Sequence, residues 1–591
     1  MRARATRIFS IAVLAAATLW FALGTDSRQC STVEPVADAA YYYAYLPSLM
    51  LDRDLDFTNQ YEVTGNWYFL KRTPTGKPGN VFGIGPALFE LPAFAIGHGL
   101  AIVTGSRRDG FSGWEEALVL WMSVLFGVGA LVMAGRLAQR RVGPRWSAWV
   151  GPLVVALAGP VAYYATRQPG YAHPAATFFA AWLVERWDAS YDGDAPRSLR
   201  MWLVLGAVFG AAVLARPQSI LWGVLLAAAC VDDLRRRGTT KLPVLLARWT
   251  AAAALAFVVF LPQLLAWKIL YGAYYIVPQG DGFMRWDSIA WLDTLFSSRN
   301  GLFPWAPLLL PCLCGLALVR PRRLVIALVA GVFLQALVNG AAWDWWAGGS
   351  FGGRRFDSAY IAFALGGAAL LDRAIAIVRA GWRKPRALLV EILLVWGALA
   401  TCAEVVLAGE TSAPTARIDG DEAPTSVWIR QVPVVGRPAA WLAWIETFPS
   451  AAIFAMRHGT GLSGFDRVEG THYLGETFPG LNSNGDKQHD VIHFTDHPRF
   501  AGFVGRPNGW ADLPSGDGRI LVGINRRGSI RVRFQVRASG PVTASWNGKK
   551  VATSQAIVEF TTDDLKRGVN TLTISGPPHT SIREPELFAI P

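Results

Sequence analysis

Charged residues are scarce in this 591-residue chain: they make up 17% of it, whereas 52% is hydrophobic. This balance, together with long uncharged runs, excludes a soluble globular protein of this size. Cysteines are also few and odd in number, and most lie inside apolar runs: Cys30, Cys230, Cys312, Cys314 and Cys402. The chain therefore has neither a disulfide framework nor a cysteine zinc site.

Two familiar ligand-binding loops are absent as well. The turn Gly76 to Gly79 contains a lysine, but it lacks the spacing and the following Ser or Thr of a phosphate-binding Walker loop. The alternating acids Asp52, Asp54 and Asp56 could ligate a hard cation, but they do not belong to a calcium loop that closes with a glutamate. We interpret this acidic run as a helix end followed by a solvated turn.

A net charge of +13 is present, and it is distributed in short loops between apolar runs. This is the pattern of cytoplasmic loops in a membrane protein, and it does not indicate nucleic-acid binding. The basic loops are 136–145, 197–200, 235–241, 320–323 and 379–386. If all of them face the cytoplasm, alternation of the apolar runs places the polar loops between them on the outer face.

The apolar runs predict about 11 to 13 membrane helices, since a crossing needs about 20 residues. The first run, Ile8 to Gly24, is interpreted as a membrane helix because no convincing signal-peptide cleavage site follows it. The run Val81 to Val103 contains prolines and is expected to lie along the outer face or re-enter it. In the alternative count it crosses, and the pair between Met201 and Val231 is counted differently.

The chain divides into a membrane part at 1–408, an interfacial linker at 409–463 and a β-rich part at 464–591. Within the membrane part, 25–80 forms a first outer loop with juxtamembrane helices. The β-rich part alternates apolar and polar residues and has an Asn547-Gly548 hairpin signal, so it predicts a β-sandwich outside the membrane. His489, His493 and His497 lie in strand-like sequence, which disfavours a metal site on a helix face.

Asp38 and Lys77 are the most suggestive polar residues of the first outer loop. A carboxylate at a membrane surface can take a proton from an acceptor hydroxyl, although Asp38 could equally cap the helix that follows it. Lys77 could meet a lipid phosphate as a point charge, or it could simply extend to the interface. Tyrosines, including Tyr42, cover the helix between these two residues.

The remaining candidates lie on other outer loops. TRQPGYAHP contains Arg167 and His173, and Arg216 interrupts an apolar pair, a costly place for an unpaired charge. The stretch WDWWAGGSFGGRRF combines aromatic rings with glycines and paired arginines, which suits a sugar and a phosphate. The residues of that stretch assigned to the site are Trp345, Trp346, Arg354 and Arg355.

With these motifs in place, residues 1–408 resemble the GT-C membrane glycosyltransferases of the family 39 type, such as aminoarabinose transferases and protein O-mannosyltransferases. The resemblance rests on Asp38 in VADAAYYYAYLPSLMLDRDLDF and on four further segments. These are GKPGNVFGIGPALFELPAF, YATRQPGYAHPAATFF, ARPQS, and SRNGLFPWAPLL with WWAGGSFGGRRF.

Membership implies an inverting transfer from a polyprenyl-phosphate-linked sugar, without a nucleotide sugar. Asp38 would be the base, and Lys77, Arg216, Arg354 and Arg355 would hold the departing lipid phosphate. The sugar or acceptor would contact Tyr42, Arg167, His173, Trp345 and Trp346. The chain departs from the family at two places. Ala39 stands where an acidic partner is usual, and Gln168 to His173 stands where many members have an aspartate, so either His173 replaces that aspartate or the second carboxylate is absent. No cofactor is assigned, a divalent cation, Mg or Mn, stays open, and no residue is named as a metal ligand.

We therefore expect a hexosyl- or pentosyltransferase of a bacterial plasma (inner) membrane, with its site and β-domain outside the cytoplasm. Its partners would be the lipid-linked donor, an acceptor lipid, glycan or protein, and membrane lipids, with no nucleic acid. Two rival hypotheses remain. The chain could be a transporter or flippase of lipid-linked glycans, which predicts ionisable residues along the spans. It could also be a membrane-anchored glycan-binding protein without catalysis.

Overall fold

The structure, a computed structural model, is described for residues 2–25, 35–66, 68, 70–191, 195–280, 282–297, 301–347, 351–381, 385–410, 432, 436–462, 489–494, 500–506, 508–524, 528–566 and 568–590. Parts of the predicted linker, the start of the predicted β-rich part, His497 and the glycine stretch 348–350 lie outside these residues. Helices make up the first part of the chain, and strands make up the last.

The helices follow one another with short connections. In chain order they are α1 Arg2–Thr25, α2 Asp38–Pro47, α3 Thr58–Thr64, α4 Gly85–Thr104, α5 Gly113–Arg141, α6 Ser147–Leu157, α7 Pro160–Thr166, α8 Ala172–Ala189, α9 Leu199–Ala215, α10 Gly223–Arg235, α11 Leu242–Tyr271, α12 Trp291–Phe296, α13 Leu302–Trp305, α14 Leu309–Gly315, α15 Arg322–Ala341, α16 Tyr360–Gly381, α17 Pro385–Glu410 and α18 Gly436–His458. A π-helical turn, Ser48–Asp52, and three 3₁₀ segments, Pro217–Trp222, Leu316–Leu318 and Arg354–Ala359, lie between them.

A polytopic helical membrane protein is confirmed. In the described residues, eight helices are long and apolar enough to cross a bilayer, or up to nine if the bent pair α6 and α7 forms one span. Three shorter apolar helices lie at Ile8–Leu23, Leu199–Ala215 and Leu309–Leu318. The first of them packs against α5, where the Trp121 indole donates a hydrogen bond of 3.0 Å to the Thr18 hydroxyl.

The prolines of the stretch Val81 to Val103 do not interrupt its helix, and its placement along the outer face or as a re-entrant segment stays a prediction beside the alternative in which it crosses. Helix α4 continues for 20 residues and meets the length and hydropathy of a span. Pro86 lies in the first turn, where the missing N–H has no intrahelical partner to lose. Pro92 lies inside the helix, and membrane helices tolerate such prolines because neighbouring groups satisfy the freed carbonyl.

Close packing fixes the start of α4 against α9. A Cβ atom added to Gly85 would lie 1.8 Å from the carbonyl oxygen of Leu214. We expect Gly85→Ala to lower the unfolding temperature of the detergent-purified protein by several degrees, because overpacking costs roughly 1–3 kcal/mol. Gly99→Ala on the same helix is the control, since a Cβ there meets nothing within 4 Å. Equal unfolding temperatures for the two variants would contradict this packing.

The basic loops converge at one end of the helical part. Within the basic loop 136–145, Arg140 pairs with Glu185 at 2.6 Å and Arg145 pairs with Asp372 at 2.5 Å. The guanidinium groups of three further arginines lie within 3.9 to 5.1 Å of the Tyr191 ring centre: Arg197, Arg236 and Arg323. Four of the five predicted cytoplasmic loops are thereby joined at the same end, which agrees with their common sidedness.

Helix α18 lies inside the segment interpreted as an interfacial linker. At 23 residues it is long enough to cross a bilayer, and one of its faces packs on α17 through alanines such as Ala440 and Ala443. Its other face exposes large apolar side chains along its length: Trp441, Trp444, Ile445, Phe448, Ile453 and Met456. This two-sided pattern is typical of a helix that contacts lipid on one side.

The expected C-terminal β-sandwich-like part is present as two sheets around one apolar core. The strands are β1 His489–Val491, β2 Phe500–Ala501, β3 Val504–Gly505, β4 Trp510–Leu513, β5 Asp517–Ile524, β6 Ile530–Arg537, β7 Val542–Trp546, β8 Lys549–Ser554, β9 Ile557–Thr562, β10 Gly568–Ser575, β11 Thr580–Arg583 and β12 Glu586–Ala589. A seven-stranded sheet has the order β1-β12-β6-β11-β4-β3, with β9 also paired to β6. A five-stranded sheet has the order β2-β5-β10-β7-β8, all pairs in both sheets being antiparallel. The hairpin at Asn547 and Gly548 forms as its sequence predicts, since both residues have positive φ.

Candidate active site

Asp38 belongs to a buried polar cluster. The other members of this cluster are Tyr68, Arg354, His173, Arg216 and Asp357. Asp38 is 7% exposed and is the first residue of α2. The Tyr68 hydroxyl donates a hydrogen bond of 2.5 Å to its Oδ1, and the Arg354 guanidinium donates one of 3.0 Å to its Oδ2. The helix-capping interpretation of this residue is not borne out, since Ala37 is at the N-cap position and no side chain caps the helix.

Tyr68 is held in place by Tyr41. The two rings stack with their centres 5.2 Å apart, and the Tyr68 backbone N–H donates to the Tyr41 hydroxyl at 2.7 Å. That hydroxyl in turn donates to the Asn66 side chain at 2.8 Å. Burial and the neighbouring Asp38 charge both raise the pKa of Tyr68, so its hydroxyl stays protonated as a hydrogen-bond donor.

We expect Tyr68→Phe to lower kcat roughly tenfold with little change in the donor KM, because it removes a hydrogen bond to a charged group and keeps the ring. Tyr61→Phe is a matched control, since it also loses one buried hydrogen bond, to the Gly79 carbonyl at 2.9 Å, away from Asp38. Steady-state transfer rates with both variants check this. A role of Tyr68 in packing alone predicts that both variants behave alike.

Arg354 reaches Asp38 from a distant segment of the chain. Its 3₁₀ turn begins after Gly353, which has a φ of +59° and whose added Cβ would lie 2.8 Å from the Leu302 side chain. A second guanidinium nitrogen donates to the Ala347 carbonyl at 3.2 Å, and the Tyr171 ring centre is 5.7 Å away. The glycine thus allows the close turn that points Arg354 at the loop 25–80.

His173, Arg216 and Asp357 form the second half of the cluster. Arg216 lies 3.0 Å from His173 Nδ1, and Asp357 Oδ2 lies 3.1 Å from the same nitrogen. Arginine can only donate, so Nδ1 accepts from Arg216 and cannot also donate to Asp357. The Asp357 carboxylate oxygens then have no hydrogen-bond donor among the described residues, although the side chain is buried.

Other predicted residues lie at varying distances from this cluster. Tyr42 is half-buried beside it, and desolvation together with the Asp38 charge raises the pKa of its hydroxyl. Both carboxylate oxygens of Asp344 accept hydrogen bonds from Arg355 at 2.7 Å, so this arginine does not face Asp38. Trp345 and Trp346 are each 6% exposed and pack on one another with ring centres 5.8 Å apart.

Arg167 and Lys77 contact other groups. The Arg167 guanidinium lies 3.5 Å from the Trp20 carbonyl at the end of α1. Lys77 is on a hairpin in which Arg72 pairs with Pro78, and its charge acts on Asp56. Neither of these contacts brings the cation to Asp38.

The acidic run Asp52, Asp54 and Asp56 makes its hydrogen bonds within the loop 25–80. Asp52 accepts hydrogen bonds from the side chains of Asn59 and Gln60, and Asp56 accepts from Thr58. Among the described residues, no group of three or more His, Cys, Asp or Glu side chains is arranged to hold a metal ion. The Asp38 carboxylate contacts a hydroxyl and a guanidinium in this structure.

Three residues in or near the cluster were not predicted from the sequence: Tyr68, Asp357 and Glu90. Glu90 is 2% exposed on α4 and acts on the Tyr42 hydroxyl. Asp357 could have been predicted, because it follows the paired arginines Arg354 and Arg355 within one turn of helix. Tyr68 could not have been, because it is one of many aromatic residues in its loop.

No protein-family model and no curated protein matches the chain. Among solved structures, it is similar to ArnT from Cupriavidus metallidurans at 14% identity and a TM-score of 0.40, covering 77% of this chain and 80% of that one. It is also similar to the oligosaccharyltransferase AglB from Archaeoglobus fulgidus, in complex with an inhibitory peptide and a dolichol-phosphate, at 13% identity and a TM-score of 0.41, covering 69% and 56%. A third likeness is to the arabinosyltransferase EmbB from Mycobacterium smegmatis, at 10% identity and a TM-score of 0.37, covering 98% and 64%.

Proposed function

We propose that the chain is an inverting glycosyltransferase that moves a sugar from a polyprenyl-phosphate-linked donor to an acceptor on the extracytoplasmic face of a bacterial plasma membrane. One observation carries this proposal: the buried Asp38 carboxylate is held between the Tyr68 hydroxyl and the Arg354 guanidinium. The transfer needs a carboxylate that takes the proton of the acceptor and a cation that binds the leaving phosphate, and a carboxylate and an arginine are adjacent here.

The reaction breaks one bond and forms another at the anomeric carbon of the sugar. The acceptor oxygen attacks that carbon from the side opposite the phosphate, and the bond between the carbon and the phosphate oxygen breaks. Asp38 takes the proton of the acceptor hydroxyl, and polyprenyl phosphate leaves with the bonding electrons. Because the attack is from the opposite side, the product has the inverted configuration.

Arg354 has two successive partners in this proposal. Without substrate it donates to Asp38 Oδ2, and its other nitrogen donates to the Ala347 carbonyl. A donor phosphate competes for the same planar fork, which matches phosphate geometry well. When Arg354 turns to the phosphate, Oδ2 becomes free to accept the proton, while Tyr68 keeps Oδ1 oriented.

The other site residues are assigned around this centre. We place Arg216 beside the leaving phosphate with His173 as its partner, and Tyr42 and Arg167 on the side of the sugar or acceptor. Arg355 is assigned to holding its loop through Asp344, although a direct phosphate contact was expected from the sequence. Trp345 and Trp346 are assigned to the sugar, which only the small exposed part of each ring would contact.

The proposal is tested with purified protein in lipid vesicles that contain a polyprenyl-phosphate-linked sugar. Release of polyprenyl phosphate should depend on an acceptor, and a nucleotide sugar should not replace the donor. A strain that lacks the gene should accumulate the lipid-linked sugar. Movement of the donor across the bilayer without transfer would instead favour a flippase.

Lys77 is proposed to help bind the donor from the edge of the site. Lys77→Gln should raise the donor KM roughly three- to tenfold and leave kcat nearly unchanged, since a point charge on an outer hairpin adds binding that is equal in ground and transition states. Lys71→Gln, on the facing strand of the same hairpin, is the matched control. Equal KM values for both variants would remove Lys77 from the donor site.

A further inference from the structure

One face of the β-part is rich in arginine. Strand β6 alternates buried and exposed residues over its whole length, so Arg531, Arg533 and Arg537 point away from the apolar core. Arg583 on β11 is exposed on the same side of the seven-stranded sheet. We call the outer side of this sheet the arginine face, defined by Arg531, Arg533, Arg537, Arg583, Trp510 and Phe588.

Aromatic rings orient two of these arginines. The Arg537 guanidinium lies 4.0 Å from the Trp510 ring centre, and the Arg531 guanidinium lies 4.7 Å from that of Phe588. Arg583 is directly opposite Trp510 in the pairing of β11 with β4. Stacking restrains each guanidinium plane while its N–H edges stay available, which lowers the entropy lost on binding an anion.

The positive charge of the face is only partly balanced. Glu559 lies between Arg531 and Arg533, at 3.5 and 3.7 Å. Among the described residues, Arg537 and Arg583 have no carboxylate within ion-pair distance. Asp512, on the same side of the sheet near Trp510, is paired with Arg506, so the excess charge at the Trp510 end is that of Arg537 and Arg583.

The opposite side of the sandwich is already covered. Leu521 and Val569, on the outer side of the five-stranded sheet, pack against Ala451 and Phe454 of α18. Arg519 of the same sheet donates to the His458 carbonyl at the end of that helix. The two sheets of a sandwich turn their outer sides in opposite directions, so the arginine face points away from α18.

We propose that the arginine face binds an anionic glycan, a polysaccharide that carries carboxylate or phosphate groups. Arg537 and Arg583 would hold the anionic group with bidentate hydrogen bonds, and the exposed part of Trp510 would contact a sugar ring. A membrane surface fits α18 better, because its exposed side chains are large and apolar whereas those of this face are mainly charged. This binding goes beyond the proposed transfer and does not depend on Asp38.

The test uses the full-length protein in phosphatidylcholine nanodiscs, with polygalacturonate as the anionic probe and dextran as the neutral one. Replacing both arginines, Arg537→Gln with Arg583→Gln, should weaken polygalacturonate binding roughly tenfold or more, and added salt should weaken binding to the unmodified protein. The charge-matched control, Lys549→Gln with Lys550→Gln, lies on β8 of the other sheet and should bind as the unmodified protein does. Trp510→Leu, which keeps the charge, should also reduce binding.

Three results would overturn the proposal. The double arginine variant could bind polygalacturonate as the unmodified protein does, or the unmodified protein could bind dextran equally well. With phosphatidylglycerol vesicles as a further probe, the double arginine variant could lose binding to the vesicles alone. The last would identify the face as a lipid-binding surface. Repeating the measurement with Asp38→Asn separates the two proposals, since binding should persist without transfer. Unfolding temperatures equal to that of the unmodified protein show that each variant is folded.

Discussion

Asp38→Asn should abolish most transfer activity, with kcat reduced by roughly 10²- to 10⁴-fold, the contribution of a positioned general base. Asparagine has the same shape, and its oxygen can still accept from Arg354. The Tyr68 hydroxyl can then rotate to accept from the amide, so the cluster loses proton-accepting ability and keeps its hydrogen bonds. The donor KM should change only a few-fold, and single-turnover rates with lipid-linked sugar measure the effect on the chemical step.

Asp52→Asn is the matched control for this loss. It removes a carboxylate of the same outer loop, where Asp52 accepts from Asn59 and Gln60 and does not touch the cluster. We expect near-normal activity from it. A folded Asp38→Asn variant that retained full activity would falsify the assignment of the base, whatever the chain's other properties.

The sequence predicts the architecture well wherever one local signal decides the structure. Apolar runs give the spans, and the strict alternation in β6 with a hairpin at Asn547 gives the sandwich. It does not show that α4 is one continuous helix through Pro86 and Pro92, because the effect of a proline depends on its position in the helix and on the packing around it. The sequence pattern also does not show that the predicted linker contains the long helix α18, because the two faces of this helix can be told apart only once its packing on α17 is known.

The site shows the same division between local and long-range information. Residue type and sidedness suffice to select Asp38, His173, Arg216 and Arg354, which the fold brings into one cluster. The partner of each is set by contacts between distant segments: Arg354 and Asp38 are 316 residues apart, and Tyr68 and Asp38 are 30 apart. Spacing therefore cannot distinguish Arg354 from Arg355, its neighbour, which turns the other way to Asp344.

Arg354→Gln should have the second large effect, a loss of roughly 10²- to 10³-fold in kcat/KM, comparable to removing a donor that stabilises developing negative charge. Two consequences of the substitution oppose each other. Asp38 loses its cationic partner and becomes freer to accept a proton, while the leaving phosphate loses the guanidinium that neutralises it. We expect the second to prevail, because charge on the phosphate builds up only in the transition state, where its stabilisation acts directly on the rate.

Inhibition by the product distinguishes phosphate binding from a role confined to holding Asp38. If Arg354 binds the phosphate, the inhibition constant of polyprenyl phosphate should rise in Arg354→Gln, and Arg354→Lys should restore part of the affinity but little of the fork geometry. Arg145→Gln removes an arginine paired with Asp372 at the far end of the helices and should change neither quantity. If Arg354→Gln were more active than the unmodified protein, the ion pair with Asp38 would be purely inhibitory and the phosphate would have to be bound by Arg216, the remaining arginine of the cluster.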